Sequence, residues 1–246
     1  MAKVFMTLQG KGGVGKSLVS ALVAQHFIER GITPRCFDTD PVNRTFGSYQ
    51  AFNTTKFQLG HRVDQIDPRS FDGLIEEILS AEPEEVFVID NGASTFLPLI
   101  NYLAESEAVS ILTESGHSVI PISILTGGQA LKDTAMGLSQ LAQLVPAVEL
   151  LIVLNEYFGP IQSVVKGKTV QFTETRLYSE LEERVRSVIV LPEINPATFG
   201  KDLDFILSRH LTFSEAAADE GLSIIAKHRL KSLWGRINEA LSEANL

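Results

Sequence analysis

The sequence predicts an α/β fold with a mostly parallel central β-sheet flanked by helices. Three observations predict it. Short apolar runs that read as strands, at residues 4–9, 35–39, 86–90, 117–125 and 149–155, alternate with segments whose apolar residues recur at helical spacing. A glycine-rich loop joins the first strand directly to the first helix, so residues 4–39 read strand, loop, helix, strand, a βαβ unit. Within the runs at 86–90 and 149–155, residues 86–89 and 150–154 are continuously apolar instead of alternating, as in strands covered on both faces.

The first strand runs into Leu8-Gln9-Gly10-Lys11-Gly12-Gly13-Val14-Gly15-Lys16-Ser17, with Leu18 opening an apolar-periodic helix over residues 17–30. Glycines here let the loop turn tightly, adopt positive φ and bring backbone N–H groups against phosphate oxygens. The helix behind the loop adds its positive end to the same place. G-x-x-x-x-G-K-S in this context is a phosphate-binding P-loop: Lys16 reaches the β and γ phosphates of a nucleotide and the Ser17 hydroxyl ligates Mg²⁺. Lys11 is not needed for the cradle, and loop chemistry alone leaves it either a solvated surface lysine or a group that reaches a phosphate held by a second copy.

Val19, Val23 and Phe27 lie on one face of the helix, Gly31 ends it, and Pro34 prevents its continuation. The next strand delivers Asp38-Thr39-Asp40-Pro41-Val42-Asn43-Arg44 to the sheet edge that carries the P-loop. An aspartate there can orient or deprotonate a water or hold Mg²⁺ through its water shell, although the same residues also suit an ordinary turn. Residues 45–69 read as loop, and 70–80 as a helix on Phe71, Leu74, Ile75, Ile78 and Leu79. Val86-Phe87-Val88-Ile89-Asp90 has the form of a Walker B strand, which fixes a carboxylate where Mg²⁺-bound water sits.

Residues 96–107 read as a helix, and 129–144 as another after the loop Thr126-Gly127-Gly128. His117, at the start of an apolar strand, reads as a core or edge histidine, and no His or Cys spacing suggests a metal site. The strand at 149–155 ends in Asn155, whose amide suits the mixed donor–acceptor edge of a base but also a strand-end turn. Residues 159–171, with Lys166 and Lys168, read as a solvated or partner-touching loop, followed by a helix with Leu177, Leu181 and Val185 on one face. The final helix, residues 222–244, carries Leu230, Leu233, Trp234, Ile237 and Leu241 as an apolar stripe, with Lys227, Arg229, Lys231 and Arg236 elsewhere. That pattern fits packing on the sheet, or lying on a membrane surface.

At 246 residues, 44% hydrophobic and a mean hydropathy of +0.12, the chain suits one compact domain over residues 1–246. It has one cysteine, Cys36, no leader pattern at its start and no window of eighteen uninterrupted apolar residues, so a soluble, cytoplasmic protein is expected. A net charge of −9 and a pI near 5.1 weigh against broad non-specific DNA binding and leave room only for a local basic patch.

Lys11-Gly12-Gly13-Val14-Gly15-Lys16-Ser17 resembles the deviant Walker A motif of the ParA/MinD superfamily of ATPases, and the switch, Walker B and Asn155 segments follow in that family's order. Asp38-Thr39-Asp40-Pro41-Val42-Asn43 is similar to plasmid-borne members of the TraL/StbB type, from conjugation and plasmid stability. The resemblance implies a P-loop fold that binds ATP and Mg²⁺ through Gly10, Lys11, Gly12, Gly13, Val14, Gly15, Lys16, Ser17 and Leu18, in a homodimer sandwiching two ATP molecules. It further implies that Lys11 crosses to the partner's nucleotide, that Asp40 is the hydrolytic residue, that Asp90 supports Mg²⁺ beside Ser17, and that Asp38 has a supporting Mg²⁺ or structural role. Asn155 would read the base, with Pro192 and Glu193 beside the adenine.

Implied partners are a second copy and a protein of a plasmid transfer or partition system, with DNA or a peripheral membrane surface as further contacts. Val42, and Asn91-Gly92-Ala93-Ser94 after the Walker B strand, depart from the family's commoner residues, which leaves Gly92 without a firm phosphate contact. A metabolic ligase or kinase of the same fold, or a scaffold that binds nucleotide and barely hydrolyses it, are the rival readings. Lys11 argues against the first, because such enzymes usually lack it.

Overall fold

The computed structural model describes residues 1–57, 59, 66–165 and 167–246. In chain order the elements are β1 (Lys3–Thr7), α1 (Lys16–Glu29), β2 (Arg35–Asp38), β3 (Thr55–Lys56), α2 (Asp72–Leu79), β4 (Val86–Asp90), α3 (Phe96–Glu105), α4 (Ala108–Glu114) and β5 (Ser118–Thr126). There follow α5 (Leu131–Leu144), β6 (Leu150–Asn155), β7 (Gln162–Val165), β8 (Lys168–Gln171), α6 (Arg176–Leu181), β9 (Val185–Leu191), α7 (Lys201–Ser208), α8 (Phe213–Ala218) and α9 (Ile224–Glu243). Seven strands form one sheet in the order β3-β2-β4-β1-β5-β6-β9, with every neighbouring pair parallel. The predicted α/β class, a parallel sheet flanked by helices, is the observed one.

Strand alternation divides the core into two layers. Val4, Met6, Phe87 and Ile89 point to the face covered by α2, α3, α4 and α5, whereas Phe5, Val86, Val88, Ile122 and Ile124 point to the face covered by α1, α7, α8 and α9. The stripe of α9 is buried there, and Phe213 of α8 stacks on Trp234 at 5.2 Å. The central strand β1 lies between β4 and β5, so the chain leaving its carboxyl end enters the crevice where the winding direction reverses.

Several boundaries differ from the sequence reading for identifiable reasons. The helix read over 96–107 is α3, ending at Glu105; a further helix not anticipated from the sequence, α4, follows from Ala108, with Glu107 in a left-handed conformation (φ 51°) between them. The segment read as a loop at 159–171 contains an antiparallel hairpin, β7 against β8, with Gly167 at φ 77° before β8; Lys166 lies outside the described residues. Val185 is not on the helix with Leu177 and Leu181: α6 stops at Leu181 and Val185 opens β9. Arg184 donates to the carbonyls of Ala142 (2.8 Å) and Val145 (2.7 Å), which pins the chain as it turns into the edge strand.

Within 45–69 there are short 3₁₀ turns and β3, while Gly60 lies outside the described residues. A 3₁₀ turn at Pro68–Phe71 precedes α2, which begins at Asp72 rather than near residue 70. His117 is buried just before β5. Helices α7 and α8 were not anticipated, although Thr212 and Glu215 form a capping box at the start of α8. Among the described residues no helix is long and apolar enough to cross a membrane.

One contact ties the sheet's carboxyl edge to α5. Gln9 is fully buried and donates to the carbonyls of Ile124 (2.9 Å) and Thr134 (3.0 Å), and a Cβ at Gly137 would sit 2.1 Å from Gln9 Oε1. Gly137→Ala is therefore expected to destabilise the protein by about 1–3 kcal/mol despite alanine's better helix propensity, because the doubly anchored amide cannot withdraw. Urea unfolding with an unchanged m-value measures it.

Candidate functional site

The P-loop folds as its glycines require. Gly13 (φ 75°) and Gly15 (φ 97°) adopt left-handed conformations, and Gly15 precedes the first residue of α1. A Cβ on Gly15 would meet Asn155 Nδ2 at 2.9 Å, and one on Gly10 would meet the Phe96 ring at 2.8 Å. Lys16 is buried and donates to the Lys11 carbonyl at 2.9 Å. Burial lowers its ammonium pKa, while Asp90 and Asp40 oppose that shift.

Asp90, at the end of β4, is the most buried acid of the site at 1% exposure. Ser17 donates to its Oδ2 at 2.6 Å and Ser20 to its Oδ1 at 3.0 Å, and Ser20 is in turn bonded to Thr7 at 2.8 Å. Burial pushes the Asp90 carboxyl from its usual 3.8 up to about 7, with Asp38 adding to the rise and the two serines and Lys16 opposing it. Asp38, at the end of β2, accepts from the backbone of Asp40 (3.0 Å) and Gly47 (2.8 Å); burial raises its pKa too. Asp40 Oδ1 accepts from the backbone N–H groups of Val42 (2.8 Å) and Asn43 (3.0 Å), and a Cβ on Gly92 would fall 2.7 Å from Asp40 Cγ. The segments that follow β2 and β4 therefore touch at Gly92, which packs on a carboxylate.

This donor set fits a Mg²⁺–phosphate complex. Ser17, Asp90 and Asp38 offer hard oxygen ligands or water acceptors, Lys16 stands among the acids, and the loop offers backbone N–H groups at a helix start. Beyond the loop, between α1 and the C-terminal helices, opens an apolar cavity of ≈ 220 Å³ lined by Leu18, Asn155, Leu191, Pro192, Ile194 and Phe213 among others. Its size and apolar walls suit the flat ring of a base. Asn155 donates to the Val14 carbonyl at 3.0 Å and accepts from the Tyr157 N–H at 3.2 Å, so it also braces the P-loop. Glu193 is exposed and does not line the cavity.

Lys11 stands apart from this cluster. Its Nζ is half-exposed and ion-paired with Asp133 of α5 at 2.8 Å, and the hydrogen bond from Lys11 holds the Asp133 carboxyl below its ordinary range. Sequence reasoning missed Asp133, Ser20 and Asp204, an acid on the rim of the base-sized cavity. Ser17 and Ser20 share a helix face, a signal that helical spacing carries; nothing local marks the other two.

Two curated proteins from Escherichia coli, each described as Protein TraL, are 44% identical to the chain over 245 residues, covering 99% of both sequences. The chain belongs to the TraL family. No family model matches it. Among solved structures it is similar to the septum site-determining protein MinD of Pyrococcus horikoshii, solved with Mg-ADP (TM-score 0.53, 15% identity, 99% of each chain). It is also similar to the MinD cell division protein of Aquifex aeolicus (TM-score 0.51, 14% identity, 96% of each chain). At that identity the likeness establishes the fold, which is that of the ParA/MinD-type P-loop proteins.

The Asp90 environment has a consequence for stability. The folded chain keeps this carboxyl protonated up to about pH 7 whereas the unfolded chain releases the proton near 3.8, so between those values the unfolded state binds fewer protons. Stability without added metal is expected to fall as pH rises from about 4 to 7 and to level off above, and Asp90→Asn to remove this part of the slope. Thermal melts of both proteins across pH check it.

Proposed function

We propose that the protein is an ATP-hydrolysing nucleotide switch: ATP binding closes two copies face to face, hydrolysis reopens the switches, and the state decides which partner is bound. The position of Lys11 carries this reading. Its ammonium lies outside its own cradle, which is completed by Lys16 and uses only the Lys11 carbonyl, and its half-exposed pair with Asp133 is one the side chain can exchange for a nucleotide bound by a second copy. An isologous two-fold arrangement then gives each Lys11 a role in the opposite site.

In that arrangement Lys16 holds the β and γ phosphates and the loop N–H groups cradle them. Asp40 orients or deprotonates the attacking water, and Lys11 and Lys16 offset charge that develops on the transferring phosphoryl group. Mg²⁺, when bound at Ser17, Asp90 and Asp38, polarises the phosphates. Leu18, Asn155 and Pro192 take the base, with Glu193 at the periphery. The TraL kinship supports a partner from plasmid DNA transfer or partition. DNA and a membrane surface are secondary candidates as the matrix, and the overall charge of −9 disfavours DNA as a broad substrate.

The weakly hydrolysing scaffold keeps one observation in its favour, since one oxygen of the Asp40 carboxylate, Oδ1, is taken by the backbone of its own turn. Steady-state turnover separates the two. Purified protein with Mg-ATP is expected to release phosphate, and Lys16→Ala to lose that activity by at least about a hundredfold. Retention of the full rate by Lys16→Ala would falsify the mechanism.

A second measurement addresses Lys11. An Asp40→Ala protein with Mg-ATP is expected to sediment as a dimer, and adding Lys11→Ala to return it to the monomer with nucleotide affinity changed only a few-fold. The lost Asp133 pair is exposed and worth little to stability. A monomer in the first case defeats the dimer reading.

A further inference from the structure

The residues after Asp90 form a buried polar knot. Asn91 Oδ1 accepts two hydroxyl hydrogen bonds, from Thr39 at 3.0 Å and from Thr95 at 2.7 Å. All three residues are fully buried. Thr39 immediately precedes Asp40 and Thr95 immediately precedes α3, so one amide oxygen joins the segment that carries the hydrolytic carboxylate to the segment that leads into α3. The backbone bond from Thr39 N to the Asp90 carbonyl (2.9 Å) ends the sheet ladder, and Asn91 continues the connection beyond the sheet.

Two close approaches surround the knot. Gly92 packs on Asp40, leaving no room for a Cβ, and Phe96, the first residue of α3, packs on Gly10 at the start of the P-loop. These approaches join the segment after β2 to the segment after β4, and α3 to the P-loop, and among the described residues the Asn91 side chain hydrogen-bonds both Thr39 and Thr95. Low local dielectric strengthens such a network, and its geometry holds only while both hydroxyls point at the same oxygen.

The geometry points to Asn91 as a positioning residue that couples the two switch segments, so that Asp40 and the start of α3 move together when the nucleotide changes. This rests on the nucleotide-switch reading and adds to it the route by which the phosphate end of the site reaches α3. Asn91 touches no reacting atom; it acts through Thr39 and the adjacent Asp40.

The knot can be cut without leaving its partners bare. The Asp90 carbonyl (3.1 Å) is an alternative acceptor for the single Thr39 hydroxyl proton and the Gly92 carbonyl (3.0 Å) for that of Thr95, so Asn91→Ala leaves each hydroxyl an acceptor and removes the bridge. Amide hydrogen exchange of the full chain, with and without Mg-ADP, reads the effect. In the unmodified protein residues 39–47 and 91–95 are expected to change protection together on adding Mg-ADP. In Asn91→Ala residues 91–95 still respond while 39–47 lose at least about threefold of their response, with the ADP affinity within about twofold and turnover down about three- to tenfold, the scale of one hydrogen bond.

Thr39→Val combined with Thr95→Val should reproduce the pattern, and adding Asn91→Ala to that pair should change little more, because the three act as a unit. The inference is overturned if both segments still respond together in Asn91→Ala, or if exchange rises evenly through β1, β4 and β5, which marks a merely structural role. If the unmodified protein binds no ADP, the nucleotide reading fails separately. The knot is then tested in free protein, where a selective rise in exchange at 39–47 in Asn91→Ala supports it and an unchanged or uniform pattern overturns it.

Discussion

Burial of the Asp90 carboxyl at the end of β4 is the constraint on which the rest of the site depends. A carboxylate away from water is costly unless it is hydrogen-bonded or faces positive charge. Here the sheet supplies the burial, since β4 lies between β1 and β2, and α1 supplies the donors Ser17 and Ser20 on one helix face. The Thr7 hydroxyl, beside Asp90 across the β1–β4 register, holds Ser20 from the other side. The first turn of α1 is thereby fixed against the sheet, and the P-loop that precedes it inherits the position. With Asp38 raising the Asp90 pKa and Lys16 opposing that rise, the pocket holds more acid than base, a balance that a bound cation improves.

The other side of the loop is held by α5. Gln9 bridges β5 and α5 through two carbonyls, Gly137 leaves it room, and Lys11 reaches Asp133 one turn earlier on the same helix. These attachments differ in character. The Gln9 contacts are buried, so they fix the root of the loop; the Lys11 pair is half-exposed and screened by salt, so it orients the lysine at little cost to its later release. A loop anchored at its root and loose at its first lysine leaves that side chain able to exchange partners while the rest of the loop stays in place.

What the sequence made legible follows from which signals are local. The glycine loop, the apolar runs that end β4 in Asp90 and β6 in Asn155, and the βαβ order are written in contiguous residues, and they predicted the sheet and the glycine loop's place at its carboxyl edge. Asp133 and Gln9 act on partners more than a hundred residues away, and no periodicity announces such pairs. The break between α3 and α4 depends on one left-handed Glu107, a conformation the residue type does not advertise. Residues 162–171 looked like a loop because their strands pair only with each other, at the short, polar end of what a strand pattern can show. Helix α8 did carry a capping box in Thr212 and Glu215, so its omission is a failure to read a local signal that was present.

The two readings of the C-terminal helix separate on where its apolar residues go. Leu230, Leu233, Trp234, Ile237 and Leu241 are buried, Leu233 and Ile237 also line the base-sized cavity, and Trp234 donates to Glu29 of α1 at 2.6 Å. A stripe engaged in this way cannot also lie on a lipid surface without opening the core and the cavity. Its flanking cations are partly engaged as well, since Arg229 forms a two-point pair with Asp202 of α7 at 2.5 and 3.0 Å. Amphipathicity in α9 is therefore explained by the sheet it covers and the cavity it closes. Ile224 and Ile225, exposed at its first turn, are the apolar residues of the helix that the fold leaves uncovered.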